Sequence, residues 1–343
     1  MIIEEIIEQY FQDIDYHLKM RIDEERGVFP NYHDFIIDIY HELIKKKPIY
    51  IGDYYMYSII YTPKTDEFID NIEVSCCVYS DMNNLESSKF INTKKNGMDL
   101  TKDGKLTNCK IIVSLNGENG KIPKNEFLYT LIHEMQHAYR YWNILSQNNG
   151  KLDSAEEYRR ERYDRNQYAA DTARKNSKEN NESEALFLDR LITMSLYDLD
   201  NDEINAYSSE IYEYIKQNEY INIKNYREYI NDIEIFKKLK IASNTIKIID
   251  NKLSSDNKEY YYTIFAMSYD KFFNNNSKFS EKKRAMLIRQ YLIRKLNRGY
   301  KQATKVLMHA LTDNNRIVNE STQSIISYRN VDISNLLKKF DVF

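Results

Sequence analysis

The run His133-Glu134-Met135-Gln136-His137, within FLYTLIHEMQHAYRYW at 127–142, sets two imidazoles and a carboxylate at the spacing that metal-assisted hydrolysis requires. Side chains four residues apart on a helix share one face, one turn above the other. Neutral imidazoles placed so can both reach one ion at about 2.0–2.1 Å. Zinc takes four ligands, and a catalytic site leaves one of them to water. The ion draws the pKa of that water toward about 7, which makes it a nucleophile for a carbonyl carbon. Glu134, beside the first imidazole, stands where a general base would accept the proton and pass it to a leaving amine. The plain alternative is an amphipathic surface helix with incidental histidines. Leu128, Leu131, Ile132, Met135, Ala138, Tyr139 and Trp142 form its apolar stripe, and both histidines lie off that stripe, on a face another segment can cover.

His133-Glu134-xx-His137, with the strand-like CKIIVSL at 109–115 shortly before it, resembles the zincin metallopeptidases. The resemblance spans residues 50–215 at most. It implies a Zn2+-dependent peptidase with His133 and His137 as ligands and Glu134 as general base. It also implies that the 109–115 strand is a sheet edge onto which an extended peptide adds. The wording HEMQHAYRYW is similar, too, to zincin-like proteins of tailed bacteriophages.

Zincins differ in what completes the metal site. The metzincin pattern continues with a nearby glycine and a third histidine; here the continuation is AYRYWN and the downstream histidine is the distant His309. Gluzincins use a glutamate on a later helix, often within Glu-x-x-Ala, and Glu203-Ile204-Asn205-Ala206 matches that pattern. Glu203 is therefore the candidate third ligand. Where some gluzincins carry an aspartate that orients a ligand histidine, this chain has Tyr207. Glu203 also suits a capping box opened by Asp200, a use that competes for the same carboxylate. Glu156, Glu157, Asp164 and Asp171 are rival ligands, although Glu156–Arg160 and Glu161–Arg165 also read as i,i+4 surface pairs. Asp198-x-Asp200-x-Asp202 is not a calcium loop, since Glu203 replaces the required glycine and Ser209 the closing glutamate.

The elements around these residues follow from periodicity and punctuation. Helical spacing runs from Ile2 to about Lys19 and again from Asn31 through Leu43, ending at Lys45-Lys46-Lys47 before Pro48. IYIGDYYMYSIIY, IEVSCCVYS and CKIIVSL are rich in β-branched and aromatic residues and read as strands. Asn116-Gly117 and Asn119-Gly120 break the last of them, and Pro123 suits the first turn of the histidine helix. Beyond Gly150 the spacing predicts a charged helix over 154–174, a polar loop over 174–183, and helices near 184–197, 201–217, 225–240, 258–273, 281–297 and 299–312. The expected class is α+β. A zincin-like domain over 1–220 would hold a helix pair, a small mixed or antiparallel sheet, the HExxH helix and the third-ligand helix. A mainly helical region with no assigned role would occupy 221–343.

Composition narrows the function classes. Lys plus Arg number 49 against 52 Asp plus Glu, a net charge of −3, which speaks against a dedicated nucleic-acid binder. Three cysteines, Cys76, Cys77 and Cys109, show no metal or disulfide spacing and suit buried thiols in a reducing compartment. The N-terminus lacks a basic signal-peptide region, and no apolar run is long enough to span a membrane. The expectation is a soluble protein of the producing cell's cytoplasm, with virion association as a further location. The basic helix 281–301 is either a surface for an acidic partner, nucleic acid or membrane, or a core-facing helix with a solvated basic face. His17, His33 and His41 are scattered. Together these features predict zinc-dependent hydrolysis of a peptide substrate. Two rivals come from other classes: a phage virion or cargo protein that keeps the fold without turnover, and an interaction protein in which metal only staples helices. An intact Glu134 favours the enzyme, because a structural site has no use for that carboxylate.

Overall fold

The computed structural model describes residues 33–63, 68–81, 88–92, 100–107, 109–148, 150, 167–170, 172, 183–221, 225–273 and 278–322. The segment 2–19, the polar loop over 174–182, His17 and the rival ligands Glu156, Glu157, Asp164 and Asp171 lie outside the described residues. The chain divides into two compact units, one ending at Asp171 and the other beginning at Thr172.

The first unit is a small mixed sheet with helices. IYIGDYYMYSIIY folds as a hairpin, with β1 (Ile49–Ile51) and β2 (Tyr54–Tyr61) turning at Gly52-Asp53. β2 pairs antiparallel with β3 (Ile72–Tyr79). β5 (Cys109–Asn116) pairs parallel with β3, and β4 (Lys89–Asn92) antiparallel with β5. The order is β1-β2-β3-β5-β4. This corrects one expectation. The 109–115 strand lies one place in from the edge, because the short strand β4 pairs along it; β1 and β4 are the edges.

Helix α1 (His33–Ile44) buries Ile36, Ile39 and Leu43, one helical face. Helix α2 (Lys124–Gln147) buries Leu128, Leu131, Met135 and Ala138. These side chains join Val74, Cys76, Val78, Ile111 and Val113 of the sheet in one core. Each such burial is worth roughly 1.5–3 kcal/mol, so the apolar stripe of α2 fixes the rotation of that helix on the sheet. Neighbouring strand residues face opposite ways, yet Cys76 and Cys77 are both buried. All three cysteines are free thiols, as their spacing implied.

The second unit is helical: α3 (Glu184–Asp198), α4 (Asn201–Gln217), α5 (Glu234–Leu253), α6 (Lys258–Phe273) and α7 (Glu281–Thr322). The helix expected at 225–240 starts only at Glu234, after a single turn at Tyr226–Tyr229 and a 3-10 turn. The two helices expected on either side of residue 298 are one, and Gly299 does not break it. A Cβ there would fall 2.6 Å from Leu239 Cδ2, so the glycine serves close packing of α7 on α5. Nor does the chain divide near 220. α4 packs on α7 and α3 on α5, which ties both sides of that position into one unit. The basic segment 281–301 is largely absorbed here. Ala285, Ile288, Leu292 and Leu296 are buried, Arg284 pairs with Asp270, Arg289 with Asp250, and Lys295 donates to Asn201. Among the described residues no helix is long and apolar enough to cross a membrane.

Candidate metal centre

The loop between β5 and α2 sets where the histidine helix begins. Gly117 N–H donates to the Tyr79 carbonyl at 2.9 Å. Gly120 adopts φ +70°, and a Cβ there would fall 2.5 Å from the Tyr55 ring, so the chain passes where only glycine fits. The Tyr57 hydroxyl donates to the Gly120 carbonyl at 2.7 Å and ties the loop to β2. Pro123 then serves as N-cap, one position before the first helical residue, Lys124. Farther along α2, Trp142 Nε1–H donates to the Gly104 carbonyl at 2.8 Å, and its ring packs with Phe68 and Tyr139. The helix is thus held at both ends, with His133 and His137 turned away from its apolar stripe.

The two imidazoles converge. Their Nε2 atoms lie 3.3 Å apart, with ring centroids separated by 5.0 Å and planes inclined at 71°. Two nitrogens bound at about 2.0–2.1 Å to one tetrahedral ion are separated by about 3.3–3.4 Å, the tetrahedral edge. The same 3.3 Å is also within hydrogen-bond reach, the donor being set by the tautomers. The spacing is compatible with two ligands to one metal. His133 is 8% exposed and Glu134 5%; His137 is half-buried.

Glu203 belongs to the helical unit and sits in the first turn of α4. Asp200 is the N-cap, its side chain accepting from Asp202 N–H at 3.1 Å. The Asp200 N–H, which a capping box would direct to Glu203, donates instead to the Tyr197 carbonyl at 2.8 Å. Asp200 thus caps the helix through its own side chain. Glu203 is 1% exposed, and the Tyr197 hydroxyl donates to its Oε1 at 2.9 Å. Tyr207, at the position where an aspartate might have stood, carries Lys238 over its ring. Asp198 lies 3.7 Å from the same Lys238, so Asp198 and Asp200 both have structural uses and form no calcium loop.

Sequence reasoning missed Tyr197. The one available signal was its place in the last turn before the Asp200 cap, where a side chain can reach the first turn of the next helix. His41 lies on α1 with its ring against Tyr40, and His309 lies on α7; neither belongs to the His133–His137 pair. In comparison with known proteins, no family model, no curated protein and no solved structure matches this chain.

Proposed function

We propose that the chain is a zinc-dependent metallopeptidase of zincin type, with His133, His137 and Glu203 holding Zn2+ and Glu134 acting as general base. The observation that carries this reading is the 3.3 Å separation of the two Nε2 atoms, a tetrahedral ligand edge. With the carboxylate that the Glu203-Ile204-Asn205-Ala206 pattern offers, the two imidazoles would make a nitrogen and oxygen donor set that suits zinc with one position open. When bound, the ion supplies an acidified water and polarises a carbonyl oxygen. Glu134 takes the proton of that water at its carboxylate and returns it to the leaving nitrogen. Its burial beside His133 strengthens each charge interaction, since little water screens them. The apolar stripe on the sheet and the Trp142–Gly104 bond keep Glu134 and the imidazoles in register while the proton moves. An extended substrate would meet the sheet at β4, the edge strand beside β5.

The test combines metal content with turnover. Freshly purified protein, never exposed to chelator, should carry about one zinc per chain, and His133→Ala should lose it. Glu134→Gln should retain the zinc and fail to cleave a peptide library that the wild type cleaves. Zinc retained by His133→Ala would remove the site; undiminished cleavage by Glu134→Gln would remove the base. Stoichiometric zinc without any turnover would instead leave a metal-stapled interaction protein.

A further inference from the structure

We infer that the outer face of α7 is a docking surface for the phosphate backbone of a nucleic-acid duplex, held without regard to base sequence. Between Lys282 and Leu311 the helix carries nine Lys and Arg and no Asp or Glu, in a chain whose net charge is −3. Its surroundings use four of the nine. Arg284 pairs with Asp270 and Arg289 with Asp250, Lys295 donates to Asn201, and Lys282 lies over the Tyr262 ring. The other five, Lys283, Arg294, Arg298, Lys301 and Lys305, are exposed. Among the described residues no carboxylate pairs with Lys283, Arg294, Arg298 or Lys301. With 3.6 residues per turn and 1.5 Å of rise, the five fall within an arc of about 60° and form a row about 33 Å long.

The row offers charge and little else, and that selects the partner. Ala285, Ile288, Leu292, Leu296, Ala303 and Val306 are buried in the helical unit, so the described side chains of α7 leave no apolar face to sink into a lipid surface. Protein interfaces are anchored by aromatic and apolar side chains and are poor in lysine, unlike this row. Single-stranded nucleic acid is held largely by stacking on aromatic rings. The aromatics of this stretch are taken: Tyr291 packs on Phe272 and Phe273, and Tyr300 is buried. A duplex backbone asks only for cations in line, since its affinity comes from counterions released as Lys and Arg neutralise phosphates. The chain's net charge of −3 makes the contact local and sensitive to salt. It involves one helix alone and stands independently of the metallopeptidase reading.

The experiment follows the fluorescence anisotropy of a labelled, mixed-sequence DNA duplex titrated with the full chain, at salt from about 50 to about 200 mM. Wild type is compared with Arg294→Gln/Arg298→Gln, with Arg294→Lys/Arg298→Lys and with Lys46→Gln/Lys47→Gln. The last makes the same charge change on exposed lysines of the other unit. For four or five neutralised phosphates, log K should fall against log[salt] with a slope of about −4. Arg294→Gln/Arg298→Gln should lessen that slope by about 1.8 and weaken binding at about 50 mM salt at least tenfold. The lysine pair, which keeps the charge, and Lys46→Gln/Lys47→Gln should bind as the wild type does. Absence of binding at low salt, or equal losses in the two glutamine pairs, overturns the docking surface. Tighter binding to the unpaired strand, or to phosphatidylserine vesicles, overturns the duplex as its occupant.

Discussion

Glu203→Gln separates a metal ligand from a structural carboxylate because the two roles move different quantities. The amide keeps the side-chain volume and still accepts from the Tyr197 hydroxyl, so the bond seen at 2.9 Å persists in weaker form. A hydrogen bond to a charged acceptor contributes about 1.5–3 kcal/mol and one to a neutral acceptor about 0.5–1.5. Opposing that loss, a side chain only 1% exposed no longer has to hold a charge out of water. Metal-free stability should therefore change by no more than about 1 kcal/mol. Zinc affinity should fall at least about tenfold, since the amide oxygen is a poor zinc ligand. At zinc near 100 times the wild-type Kd, binding adds about 2.7 kcal/mol to the wild type and at most about 1.4 to the variant. For a unit of this size the difference is roughly 3–5 °C in Tm, resolved by thermal melts with and without zinc. A variant whose zinc-induced shift equals that of the wild type would refute Glu203 as ligand and return attention to Glu156, Glu157, Asp164 and Asp171.

Leu131 is fully buried against the sheet, so Leu131→Ala should cost roughly 2–5 kcal/mol in urea melts. Gly120→Ala must place a Cβ at φ +70° and 2.5 Å from the Tyr55 ring; a loss of about 1–3 kcal/mol is expected, along with weaker zinc binding as the start of α2 shifts. Burial pushes the Tyr300 phenol from its ordinary 10.0 up to about 12. The unfolded chain then gives up this proton before the folded one. Stability is fully present below pH 10 and falls as pH rises toward 12, by on the order of 2–3 kcal/mol. Unfolding free energies between pH 9 and 12 should decline less steeply in Tyr300→Phe, and parallel curves would contradict that burial effect.

The α+β class, the strands and most helices were legible because their signals are local. Alternating β-branched residues in IEVSCCVYS and the spacing of Leu128, Leu131 and Met135 each reveal a buried face within one element. What escaped was set by partners distant in sequence. β4 is four residues long, and only its pairing with β5 makes it a strand. Gly299 reads as a break until Leu239 is seen to occupy the space of its missing Cβ. The division near 220 looked natural in a chain so poor in Gly and Pro, but α4 has its apolar face on α7, far downstream. At the candidate site the histidine pair was readable, because i,i+4 spacing on a helix is geometry fixed by the backbone. The Asp200 N–H donates to the Tyr197 carbonyl, a bond that no spacing rule reveals.

The interior place of β5 has a kinetic consequence. Every β3–β5 pair joins positions 37 apart, as for Ile72 and Cys109 (109 − 72 = 37), whereas β1 and β2 meet across a two-residue turn. Closing the longer loop costs roughly 3 kcal/mol of chain entropy before any contact offsets it. The hairpin and β3 can zip early; β5 joins β3 late, with β4 pairing only on β5, and α2 has no complete floor until it does. A chain caught before that step leaves the side of β3 that β5 covers as an unpaired edge, the state most prone to associate with its own kind. Trp142, the only tryptophan, reports the docking of α2 through its bond to Gly104, so its fluorescence in refolding should lag the far-ultraviolet signal of the hairpin and helices.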